Sequence, residues 1–115
     1  MTYYDRVYAV TRQIPSGFVT TYGHISDFLA LGSARMVGWA LNQSLHLVDV
    51  PAHRVVNRKG ELSGRLHFDT PWLMQDRLEQ EGVIVVDNQV VDFIRHLWVP
   101  AEALPVDFAF NFSTK

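Results

Sequence analysis

Apolar residues recur at Tyr3, Val7, Val10 and Ile14, steps of four, three and four that lay one stripe along a helix. Thr2 followed by Asp5 is a capping arrangement, with Asp in place of the usual Glu. Pro15-Ser16-Gly17 ends that helix. After Phe18-Val19-Thr20, Thr21 predicts the cap of a second helix that turns Ile25, Phe28 and Leu29 inward. Gly32 breaks it, and Ser33 predicts the cap of a third, short helix reaching about Gln43, with Val37, Ala40 and Leu41 inward. Two short helices joined by a tight glycine-containing turn predict a helix-turn-helix.

The pattern then changes. Val50-Pro51 closes an extended stretch, His53-Arg54-Val55-Val56 reads as a short strand, and Asn57-Arg58-Lys59-Gly60 is turn chemistry. Together they predict a small hairpin or wing. Thr70-Pro71 marks a helix start, cap then first-turn proline, and Gly82 marks its stop. Residues 83–86 and 90–93 predict a second hairpin around Asp87-Asn88-Gln89. The tail after Trp98-Val99-Pro100 is apolar but follows no period. The expected fold is mainly α: a winged-helix-like helical bundle with a helix-turn-helix and small β-hairpins.

Composition narrows the class. The 115 residues, 48% hydrophobic and 19% charged, suit one domain (1–115) with a buried core. No apolar stretch approaches the ~20 residues needed to span a bilayer, and Met1–Arg6 lacks the flank of a signal peptide. A cytoplasmic protein with no membrane association is expected. Net charge divides unevenly: residues 1–65 carry +3 and residues 66–115 carry −5. A positive half beside a negative one suits a polyanion-binding face, although scatter over a solvated surface explains it equally well.

Candidate chemistry is mostly excluded. The chain has no cysteine, hence no disulfide, thiolate ligand or thiol nucleophile. His24, His46, His53, His67 and His96 show none of the common ligand spacings, so no metal is expected. Neither a GxSxG elbow nor a glycine-rich phosphate cradle occurs, and no cofactor is expected. Arg35, near the start of the third helix, stands where a side chain can reach into nucleic acid.

Pro51-Ala52-His53-Arg54-Val55 resembles the Pro-Cys-His-Arg-Val active-site signature of O6-alkylguanine-DNA alkyltransferases, with alanine at the reactive cysteine. Residues 14–23 (Ile-Pro-Ser-Gly-Phe-Val-Thr-Thr-Tyr-Gly) resemble the family's entry to its DNA-binding motif. Ala34-Arg35-Met36-Val37-Gly38-Trp39-Ala40-Leu41 resembles its recognition helix. Arg35 stands 17 positions before Ala52, the family's spacing between arginine finger and cysteine. Gly60, Leu78-Glu79-Gln80-Glu81-Gly82-Val83 and Arg95-His96-Leu97-Trp98 extend the resemblance over roughly residues 3–98.

The departure is as informative as the match. The repair enzymes accept the alkyl group on a thiolate, and alanine supplies no nucleophile. The resemblance therefore implies no enzyme. It implies an alkyltransferase-like protein that holds O6-alkylguanine in double-stranded DNA and passes it, as a monomer, to nucleotide excision repair damage-recognition proteins. Many such proteins carry tryptophan at position 52, so alanine implies a roomier pocket.

By the same resemblance the helix-turn-helix docks in the minor groove and the damaged nucleotide rotates out. Arg35 matches the finger that fills the vacated space, and Tyr22 matches the tyrosine that crowds the 3′ phosphate. Gly38 and Ala40 allow close approach of helix to backbone, Arg54 joins the DNA-binding set, and Trp39 departs from a frequent glycine. The lesion pocket is expected from Tyr22, Leu41, Ser44, Ala52, Val55 and Arg65, with carbonyls from Ala52 and Val55 and the Arg65 guanidinium over the base. His53 and Glu81 match the enzymes' relay and, without a thiol, are expected to form a structural pair. A winged-helix regulator of undamaged DNA and a decayed paralogue of purely structural value remain as alternatives.

Overall fold

A computed structural model describes residues 2–108. Helix α1 (Tyr3–Thr11) opens where the cap predicts, with the Thr2 N–H donating to the Asp5 carboxylate at 3.1 Å. Val7 and Val10 are fully buried, and Ile14 is buried in the turn beyond the helix. A short strand, β1 (Thr20–Thr21), leads into α2 (Tyr22–Leu29), and α3 (Ala34–Asn42) follows. Both predicted caps form: Thr21 accepts from the His24 N–H at 3.0 Å, and Ser33 from the Arg35 N–H at 3.2 Å. Ala30 and Gly32, at φ of 55° and 83°, turn the chain between the two helices. The Tyr8 hydroxyl donates to the Ala40 carbonyl at 2.8 Å and ties α1 to α3. Val7, Val10, Ile25, Val37 and Val55 share the core beneath this helical half.

The predicted wing does not form. A 3-10 turn (Ala52–Arg54) leads into β2 (Val55–Val56), which pairs in parallel with β1, Thr20 opposite Val55 and Thr21 opposite Val56. The extended residues before the helix-turn-helix take the ladder that a returning hairpin strand would have filled. Beyond the turn, Glu61 bridges to Gln89 and not back to residues 53–56. Gly60 is required in that turn: its φ is +79°, and a Cβ would lie 3.0 Å from the Phe93 ring.

Helix α4 (Leu73–Gln80) starts two residues beyond Pro71, because Thr70 first accepts the Trp72 N–H at 3.3 Å in a turn. The second hairpin is real and tighter than expected. β3 (Val85–Val86) and β4 (Gln89–Val90) are joined by Asp87 and Asn88, both at positive φ, so Gln89 belongs to the strand. Phe93 is likewise helical, opening α5 (Phe93–His96), and the tail that the sequence leaves unplaced contains α6 (Pro100–Ala103), its residues 109–115 lying outside the described residues. This tail is tied back through Trp98 N–H to the Val19 carbonyl at 2.7 Å and Val19 N–H to the His96 carbonyl at 2.9 Å. A second buried cluster, with Val19, Val56, Leu62, Met74, Leu78 and Val83, sits beneath α4 and the hairpin. The fold is mostly helical, with the two cores meeting at the β1–β2 pair. Among the described residues no helix is long and apolar enough to cross a membrane.

Candidate nucleic-acid interface

Arg35 occupies the first turn of α3, exposed, and its guanidinium makes no hydrogen bond or ion pair among the described residues. It lines a groove of about 370 Å³ together with Tyr22, Gly38, Trp39 and Asn42. A Cβ at Gly38 would meet nothing within 4 Å, so this glycine is not demanded by the chain's own packing. Ala40 faces inward as the helical period predicts, and for that reason leaves the DNA-contacting set that the resemblance implies. It is fully buried against α1 and cannot meet a DNA backbone, because α3 turns Val37, Ala40 and Leu41 inward on one stripe.

A second groove, about 430 Å³, lies between Tyr22-Gly23 and the loop carrying Asn57, Arg58 and Lys59. The Asn57 side chain accepts the N–H groups of Lys59 at 3.0 Å and Glu61 at 2.9 Å, which fixes the loop. The sequence marks this loop as a turn but carries no signal that its two cations face the helix-turn-helix.

The expected lesion pocket is only partly assembled. Tyr22 is close to the segment 63–65: a Cβ at Gly64 would fall 2.8 Å from its hydroxyl. Burial raises the Tyr22 phenol above its ordinary value, with Ser63 opposing, so it remains a neutral donor at pH 7. Arg65, next along, is partly buried and donates from Nη1 to the Leu62 carbonyl at 3.2 Å. Leu41 and Ser44 depart from expectation, whereas the role expected of Val55 is its backbone carbonyl, which a core side chain leaves possible. Leu41 and Val55 side chains belong to the core, and the fully buried Ser44 hydroxyl donates to the Leu41 carbonyl at 2.8 Å. The turn after α3 needs that bond more than an open cavity does.

Ala52, 8% exposed, lies on the wall of a different cavity of about 430 Å³, shared with Arg12, Leu47, Asp49, His53 and Arg77. The Arg12 guanidinium donates to Asp49 at 2.9 Å, a contact between positions 37 apart that no local pattern announces.

Behind Ala52 lies a connected polar cluster of Arg54, His53 and Glu81. The Arg54 guanidinium donates from Nε and Nη2 to the two Glu81 oxygens at 3.0 and 2.6 Å, and from Nη1 to the Ile14 carbonyl at 2.8 Å. His53 Nε2 lies 2.9 Å from Glu81 Oε2. Arg54 is therefore committed inward, and the expected DNA contact is corrected: no free fork remains to grip a phosphate. Burial pushes the His53 imidazole below its ordinary range, outweighing the pull of Glu81. Burial alone would raise Glu81, but hydrogen bonds from Arg54 and His53 overcome it and hold the carboxyl low. The cluster is an ionised carboxylate shared by a guanidinium and a neutral imidazole, with no nucleophile beside it.

An exposed, unpaired arginine at the head of a capped second helix, above a groove walled by tyrosine and glycine, defines a helix-turn-helix domain of the DNA-binding class. Residues 2–83 match the family described as 6-O-methylguanine DNA methyltransferase, DNA binding domain, and the chain belongs to that family. It is 34% identical to alkyltransferase-like protein 1 of Schizosaccharomyces pombe over 103 residues, covering 85% of this chain and 95% of that one. It is 36% identical to a DNA base-flipping protein of Escherichia coli over 97 residues, covering 82% and 72%. Its fold matches the crystal structure of S. pombe Atl1 in complex with damaged DNA containing O6-carboxymethylguanine, with a TM-score of 0.74 at 33% identity over 84% of this chain and 94% of that one.

Proposed function

We propose that this protein binds double-stranded DNA containing O6-alkylguanine by docking α2–α3 in the minor groove and rotating the damaged nucleotide out, without removing the alkyl group. The observation that carries the reading is Ala52. It occupies the turn next to a complete His53–Glu81–Arg54 network, at the position of the family's reactive cysteine, in a chain with no thiol at all. Binding machinery without an acceptor is a lesion sensor. The relatives' names and the damaged DNA held by the S. pombe protein support the same reading.

In this reading Arg35 fills the space left in the stack, Tyr22 crowds the rotating phosphate, and Arg65 lies over the extruded base. Extrusion costs a few kcal/mol, less when an alkylated guanine already mispairs. The protein acts as a monomer in the cytoplasm, and the complex marks the lesion for nucleotide excision repair.

A gel shift with two duplexes of one sequence, carrying O6-methylguanine or guanine at one position, tests this directly. Tighter binding of the methylated duplex is expected, with unchanged protein mass and an intact lesion after incubation. Affinity should fall steeply with salt, each neutralised phosphate adding about −0.9 to the log–log slope. Equal affinities would favour a regulator of undamaged DNA, and a methyl group on the protein would overturn the non-enzymatic assignment.

A further inference from the structure

Trp39 is the residue of α3 that neither the core nor the finger role of Arg35 explains. It is 53% exposed, although an indole is among the largest apolar surfaces that a chain can bury. It makes no hydrogen bond, ring contact or ion contact among the described residues. No other large hydrophobic residue of α3 is exposed. Trp39 cannot simply fold under the helix, because Val37, Ala40 and Leu41 fill the inward stripe. It stands one turn beyond Arg35 on the same face, and the two share the groove with Tyr22 and Gly38.

We propose that Trp39 is an apolar wedge for the minor groove, packing on the sugar edges and the base step beside the one that Arg35 enters. This rests on reading α3 as the helix that faces duplex DNA. Four residues advance a helix by about 6 Å, under two base spacings of roughly 3.4 Å, so the two side chains address adjoining steps. Their chemistry is complementary. A guanidinium satisfies polar edges in the opened duplex but leaves the unstacked faces uncovered. An indole covers those faces, as apolar side chains do when they pry open base steps from the minor groove. The open space around Gly38 lets the backbone come close enough for the indole to reach. The unpaired arginine that shares the groove with the indole sets a positive charge at its mouth, and that charge selects a polyanion.

The test combines binding with the indole's own signal. Trp39→Ala should weaken binding to both guanine and O6-methylguanine duplexes about tenfold, and Trp39→Phe less than threefold, the scale of losing one base–aromatic stack. Fluorescence of the unaltered protein minus that of Trp39→Phe isolates Trp39 from Trp72 and Trp98. That difference signal should be open to acrylamide in the free protein and shielded by saturating duplex. Unshielded Trp39, or Trp39→Ala binding both duplexes as tightly as the unaltered protein, would overturn the wedge while leaving lesion preference standing. Conversely, a protein that binds both duplexes equally but shields Trp39 supports the wedge and sinks the lesion reading. The fluorescence arm needs only the conservative Phe variant, so it decides the matter even where Trp39→Ala fails to fold.

Discussion

Arg35 and Arg54 carry the same side chain and end differently. Arg35 heads a helix whose inward stripe leaves it no internal partner, so its charge faces outward over an apolar groove. Arg54 ends a 3-10 turn that aims it toward the chain just beyond α1 and toward the end of α4, where three donors find the Glu81 carboxylate and the Ile14 carbonyl. The first region keeps its donors for an outside anion, and the second uses its donors to join the two cores. An arginine in a family signature thus informs on function only once its donors are traced. The exposed face should be replaceable without unfolding, and the buried network should not.

The largest effect should come from removing Glu81. Glu81→Ala strands the Arg54 charge and the His53 imidazole, both poorly exposed, and should destabilise the fold by about 3 kcal/mol in denaturant unfolding. A loss under about 1 kcal/mol would mean that the network is only a surface ion pair.

Acid should erode the same region by a path with a definite sign. Folding holds His53 below its ordinary 6.5, so the unfolded chain takes that proton first and stability falls as pH drops below 6.5. Glu81 sits below its ordinary 4.5, so its contribution is complete above 4.5 and disappears as pH falls further. Melting temperature should therefore decline in two steps on acidification, and His53→Asn should abolish the upper one. An upper step that persists in that variant would assign it to another group.

The recognition face should behave in the opposite way. Arg35→Ala should leave thermal stability within about 0.5 kcal/mol yet lower affinity for lesion duplexes by about 2 kcal/mol. A fluorescent base analogue at the lesion site should report less flipping. Normal flipping with Arg35→Ala would break the comparison at its functional end. The smallest effect concerns Arg65: its alanine variant should cut the preference for alkylated over normal guanine roughly fivefold, the value of a ~1 kcal/mol cation–π contact. An equal loss on both duplexes would make Arg65 a phosphate ligand.

Legibility followed sequence distance. The three N-terminal helices and both internal caps are written in neighbouring residues, and Thr21, Ser33 and the 3.6-residue period locate them. Asp87-Asn88 likewise encodes its own turn. Of the candidate site, the part on one local element is what the sequence brings together: Tyr22, Arg35 and Gly38 share a groove at the helix-turn-helix. The helical period turns Ala40 inward and the resemblance implies the DNA face, and the period prevails: its side chain is fully buried on the α3 stripe with Val37 and Leu41. Leu41 and Ser44 leave the expected pocket for a related reason: core packing claims the first and a turn hydrogen bond the second.

By itself the sequence determined the helix-turn-helix, the DNA-binding family signature and the absence of any thiol, since caps, periods and composition are local or additive. Only the tertiary structure decided that β2 would pair in parallel with β1 and not fold back into a wing. It also decided that Arg54 would close on Glu81, 27 positions away, and on Ile14, 40 positions away. Such contacts depend on which distant segments the two cores bring together, and a buried guanidinium goes where a carboxylate and a carbonyl can satisfy it together.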